Sequence, residues 1–83
     1  MKKYYIHNKR KGYVGNCMVW WRKGHHGYTC NIDDAHIFTE DELPKYLEAG
    51  DLVAYPVEYI DSIVRRHVDM QHVDRSAGKS SPI

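Results

Sequence analysis

The residues of this chain best suited to chemistry lie between Gly12 and Thr39. That stretch holds both cysteines, both tryptophans, the only phenylalanine and three of the six histidines. His25, His26, Cys30 and His36, with Cys17 nearby, have the donor types of a zinc site. Structural zinc sites are built from paired short spacings, such as two cysteines two residues apart, and this chain has none. The spacing therefore reads as loop and strand histidines, and whether the four meet at an ion is left to the fold. A nucleophilic thiol at Cys17 or Cys30 requires a depressed thiolate pKa and an orienting third group. Both cysteines sit in strand-like apolar runs, where burial makes a thiol inert. Ser62, His67 and Asp61 have the composition of a catalytic triad. Five residues on a helix turn through about 500°, however, which leaves Ser62 and His67 roughly 140° apart. No catalytic residue and no cofactor is assigned.

The strongest functional candidate is a surface. Lys9, Arg10, Lys11, Arg22 and Lys23, with Tyr13 among them, mix cations with aromatic rings on sheet-forming sequence. Single-stranded nucleic acid needs that pairing, charge for phosphates and rings for bases. The same rings are required for the core of so small a domain, which favours a protein partner for the basic face and makes nucleic acid the alternative. The acidic stretch from 33 to 61 has two readings as well. It could occupy a nucleic-acid groove on another protein, or it could be the solvated faces of two ordinary helices, and the second is preferred.

The elements that position these residues follow from periodicity and turn chemistry. Lys3 to Asn8 reads as a strand with Tyr5 and His7 on one face and Tyr4 and Ile6 on the other. Lys9-Arg10-Lys11-Gly12 is a charged, solvated turn. Cys17 to Arg22 is a second strand with large apolar groups on both faces, and Gly24-His25-His26-Gly27 returns it as a hairpin to Tyr28. Asn31 to Asp34 is a side-chain-bonded turn, and His36 to Thr39 a third strand. Thr39-Glu40-Asp41-Glu42 matches a capping box ahead of a short helix broken by Pro44 and ended by Gly50. Asp51 to Tyr55 suits a fourth strand, and Pro56 opens a second helix with its core stripe on Val57, Ile60, Ile63 and Val64. The fold class expected is α+β: a small antiparallel meander of three or four strands with two helices packed on one face. Residues 1–74 form one compact domain in this reading, and residues 75–83 a flexible tail.

Composition narrows the class further. The net charge of +1 conceals a segregation: residues 1–32 carry seven basic and no acidic side chains, and residues 33–63 nine acidic and one basic. No apolar run approaches the roughly 20 residues of a membrane span, and the start of the chain lacks the apolar segment of a secretory signal. A cytosolic setting with reduced thiols is the expectation, so the two cysteines read as small core hydrophobes rather than a disulfide.

The series Gly12-Tyr-Val-Gly-Asn16, Trp20-Trp21, His26-Gly-Tyr-Thr29 and Ala35-x-x-Phe38-Thr39, with its following acidic helix, resembles a group of short proteins encoded by bacteriophages and prophages. Tyr59-Ile-Asp and the stretch Val68 to Asp74 extend the likeness over most of the chain. The resemblance implies a phage accessory protein in the cytoplasm of the bacterial host, acting by contact with a host protein. The charge segregation adds a homodimer as an option, the acidic half of one copy pairing with the basic half of another. It implies no activity, and no residue role comes with it.

Overall fold

The computed structural model describes residues 2–79 apart from His26 and Ala49, and the backbone alone of His25. Its organising element is β1, Lys3–Asn8, whose last four residues are all buried. Tyr4 is partnered by Phe38 on one side and Pro56 on the other, and His7 likewise by Trp20 and Val53. One edge of β1 is thus filled by a single strand, β7 (Leu52–Pro56), and the other is shared end to end by β4 (Trp20–Trp21) and β6 (Phe38–Thr39). The β5 strand, Tyr28–Thr29, continues the sheet beyond β4, while β2 (Tyr13–Val14) and β3 (Cys17–Met18) form a separate small hairpin. Every pairing is antiparallel.

The α+β class, the antiparallel sheet and the two helices agree with the sequence reading, while their arrangement differs in two respects. The strands do not run as a meander, because β1 is central and its neighbours come from three separate parts of the chain. The helices also take one face each. Tyr5 packs with Trp20, Ala35 and Ile60 of α2 (Val57–Ile63), whereas Ile6 packs with Phe38 and Leu43 of α1 (Leu43–Leu47). Strand alternation is the cause: Tyr5 and Ile6 are adjacent and must point to opposite sides, and both are large and apolar. Each side therefore needs its own cover.

Aromatic edges interlock within these layers. On the α2 side Trp20 meets Tyr5 at 5.7 Å and Tyr55 at 6.1 Å between ring centroids, both edge-to-face. On the α1 side Phe38 meets Tyr46 at 4.9 Å, and Tyr46 meets Trp21 at 6.2 Å. Such contacts add about 0.5–1.5 kcal/mol each beyond the area they bury. The predicted strand from Cys17 to Arg22 is split at Val19, whose carbonyl accepts the amide of Asn8 and the ring Nδ1–H of His7, the latter at 2.8 Å. That second bond satisfies a buried histidine.

Helix α1 is short for the reasons seen in sequence. Thr39 donates its amide (2.8 Å) and its hydroxyl (2.9 Å) to the Glu42 carboxylate, closing the capping box, and Pro44 falls in the first turn. Gly50 takes a φ of 80°, the left-handed geometry that ends the helical segment. Helix α2 stops at Ile63, before its apolar stripe is used up: Val64 is extended, and Ile63 and Val64 are exposed. Past Ile60 the helix has no further sheet to lie on, and two β-branched residues followed by adjacent arginines give it little reason to continue alone. Every residue from Asp61 to Lys79 is exposed. Within the expected tail, Arg75–Ala77 makes a short turn, and residues 80–83 lie outside the described part.

Phe38 has no exposed surface, so Phe38→Ala should cost roughly 3–5 kcal/mol. That is comparable with the whole stability of a small domain and should abolish the cooperative thermal transition. The Tyr5 hydroxyl donates to Asp61 Oδ1 at 2.8 Å, a clasp between β1 and α2. Burial, the bond to Asp61 and the nearby charges of Asp61 and Asp33 push the phenol from 10.0 up to about 12. The folded state therefore holds this proton more tightly than the unfolded chain, and the stability it confers is complete below pH 10 and drains as pH rises toward 12. Tyr5→Phe should lose roughly 1 kcal/mol at neutral pH. Denaturant titrations across the alkaline range should show a shallower decline for this variant than for the parent.

Candidate interaction surface

The basic turn after β1 is built by Asn8, a residue whose importance the sequence pattern did not signal. Its buried side-chain Oδ1 accepts the amides of Arg10 (2.9 Å) and Lys11 (3.1 Å), and its carbonyl accepts that of Gly12 (3.1 Å). Gly12, at φ 69°, completes the turn in a conformation that side chains disfavour. From the far side the Lys9 amide donates to the Asp51 carbonyl at 2.8 Å. Four bonds from backbone amides, two of them to the Asn8 side chain, thus fix the turn while the side chains of Lys9, Arg10 and Lys11 remain in solvent. This is a preorganised cationic projection.

Two of those cations have partners of their own. Arg10 Nη2 lies 3.4 Å from Asp51 Oδ2, an exposed pair that water and salt weaken. Lys11 Nζ sits 5.6 Å from the centroid of Tyr28, and Tyr28 stands edge-on to Trp21 at 4.9 Å. Tyr13, 65 % exposed, rests its ring 5.9 Å from that of His7, in the Trp20 layer on the other face of the sheet.

Arg22 and Lys23 are exposed as predicted, and they belong to a different place. Trp20 stands opposite His7 of β1, and Arg22, two residues on, bridges Ala35. Because β4 runs antiparallel to β1, Arg22 and Lys23 lie past the end of β4 that points away from the Lys9 turn, while Lys9, Arg10, Lys11 and Tyr13 follow the end of β1.

His36 lies on the other side of the sheet from the two thiols. His36 is half-buried with its ring 4.5 Å from Phe38 on the α1 side, and Cys30 is exposed beside the hollow that Cys17, Trp20 and Ile60 line on the α2 side. The His25 side chain and His26 fall outside the described residues. Among the described residues no three His, Cys, Asp or Glu side chains are placed to share a metal ion. Contrary to the sequence reading, Cys30 is not a core residue. Partial loss of hydration, then the neighbouring Cys17 and Asp69, push its thiol up, the opposite of what an attacking thiolate needs.

The acidic residues are largely committed to local structure. Glu42 is held below the usual carboxylate range, first by the Thr39 amide and then by its hydroxyl. Asp61 accepts from Tyr5 and Asp51 faces Arg10. Asn31 caps the turn Ile32–Asp34 by accepting the Asp33 amide at 3.0 Å and donates to Asp34 Oδ2 at 3.3 Å. Arg65 Nη1 donates to the Val64 carbonyl at 3.4 Å and not to an acidic side chain.

No family model matches the chain, and neither a curated protein nor a solved structure is similar to it. Among the described residues no helix is long and apolar enough to cross a membrane.

Removing the turn's anchor should loosen the cationic projection. Asn8→Ala leaves the Arg10 and Lys11 amides without their acceptor and should cost roughly 1–2 kcal/mol. Faster hydrogen exchange at those amides, with β7 still protected, is the expected signature.

Proposed function

We propose that this chain is a non-catalytic binding module, a phage or prophage accessory protein that engages a host protein in the bacterial cytoplasm. The basic turn is the observation that carries the reading. Lys9, Arg10 and Lys11 are presented to solvent by a backbone fixed through a buried asparagine, so little ordering entropy remains to oppose docking. An acidic surface on the partner is the complement such a projection selects, and its contribution lies in encounter rate and register as much as in affinity. The phage setting rests on the motif series running from Gly12 to Asp74.

Two further features support contact rather than chemistry. Trp20 and Phe38 are 5 % and 0 % exposed and serve chiefly as core, Trp20 also bordering the hollow beside Cys17 and Cys30. The titratable side chains with displaced pKa values, Tyr4, Tyr5, Cys30, Glu42 and Asp74, are spread over the whole chain instead of converging.

The test is capture from bacterial lysate with the full chain as bait, beside a variant carrying Lys9→Ala, Arg10→Ala and Lys11→Ala. The parent should retain a host protein that the variant releases. Recovery of bait alone across several host strains would overturn the reading. A gel shift of single-stranded oligonucleotides that weakens steeply with salt and vanishes in the same variant would replace it with nucleic-acid binding.

A further inference from the structure

Both thiols of this chain open on the same space. Residues 16–18 and residues 30–33 line one hollow of about 440 Å³ together with Trp20 and Ile60, so Cys17 and Cys30 belong to a single wall. Both are free, Cys30 exposed and Cys17 half-buried. The sheet accounts for the meeting. Trp20 of β4 stands opposite Thr29 of β5, the last rung of that ladder, and such partners lie about 5 Å apart. Cys30 follows Thr29 directly and Cys17 precedes Trp20 by three residues, so the two leave the ladder at the same end. Each is within the electrostatic reach of the other, since Cys17 is among the groups that push the Cys30 thiol up.

We propose that Cys17 and Cys30 are a redox pair, which a peroxide joins as a disulfide within one chain. The exposed Cys30 meets the oxidant first. Its thiolate attacks one peroxide oxygen, the O–O bond breaks, water departs and a sulfenic acid remains. The Cys17 sulfur then attacks the sulfenic sulfur: the Sγ–Sγ bond forms, the S–O bond breaks, and a second water carries the oxygen away. The peroxide takes both electrons, and the two thiol hydrogens end in water.

Two features bias the pair toward this product. Strand β3 belongs to the small hairpin, where Cys17 pairs with Val14, so Cys17 closes on Cys30 without breaking a rung of the main sheet. Surroundings that oppose a thiolate at Cys30 also withdraw what would stabilise the reduced form, whereas a disulfide carries no charge for Asp69 to repel. The same surroundings slow the first attack, so the pair answers sustained oxidation rather than a brief pulse. Once closed, it ties the hairpin that carries Tyr13 to the Asn31-capped turn Ile32–Asp34. The inference does not rest on the host partner.

The reduced full chain at micromolar concentration, treated with hydrogen peroxide, should pass from two free thiols to none as a monomer lighter by two hydrogens. Peptide mapping should join Cys17 to Cys30. The melting temperature should rise, the amides of residues 13–18 should exchange more slowly, and dithiothreitol should reverse both. Under the same treatment Cys17→Ser should gain oxygen at Cys30 or cross-link two chains, with no rise in melting temperature. Cys30→Ser should keep its remaining thiol longer, and circular dichroism of both variants before treatment separates folding from redox chemistry. A parent chain that gains oxygen instead of losing hydrogen, or that cross-links to a second chain, would overturn the inference. So would a disulfide that leaves melting and exchange unchanged.

Discussion

The structure depends on one constraint: β1 is covered on both faces and hydrogen-bonded along both edges. Six residues therefore set the position of nearly everything else. Tyr5 and His7 require one aromatic layer, Ile6 another, and the unlike lengths of its neighbours leave β7 to fill one edge while β4 and β6 divide the other. A strand buried on both faces is expected in parallel sheets sandwiched by helices. Here the same burial is reached in an antiparallel sheet, by giving each face a single short helix.

That economy leaves few side chains to spare for anything but structure. The indoles hold the two layers, the Tyr5 phenol ties β1 to α2, and the carboxylates of Glu42, Asp69 and Asp74 turn inward upon their own backbone. What remains outward is a fixed cationic turn at one end of β1 and an apolar arm leaving α2. These two surfaces differ in chemistry, one cationic and one apolar.

Local features were legible in the sequence because their causes are local. The β1 alternation, the Asn31 turn, the Thr39–Glu42 box, the first-turn Pro44 and the Gly50 stop all appear within a residue or two of where propensity and capping place them. The reading failed where long-range competition decides. Nothing near Tyr5 announces that Asp61 will accept its hydrogen bond, and nothing near Arg22 says that it will bridge Ala35 and leave the basic turn to Lys9, Arg10 and Lys11. The order within the arm is hidden for another reason. Val68-Asp69 and Val73-Asp74 each precede a three-residue turn, a five-residue repeat of apolar residue, cap and turn that was present in the sequence as a signal and is short enough to pass as coil.

The partners of β1 are distant in the chain, and this bears on how the molecule is made. Tyr5 waits for Asp61, 56 residues later, and Tyr5 to Asn8 wait for Leu52 to Tyr55. During synthesis β1 therefore leaves the ribosome long before the strand and helix that shelter it have been translated. A topology so rich in distant pairings folds slowly for its size. Throughout that interval the nascent strand presents two apolar faces and two open edges, which makes it a natural client for a chaperone at the exit tunnel.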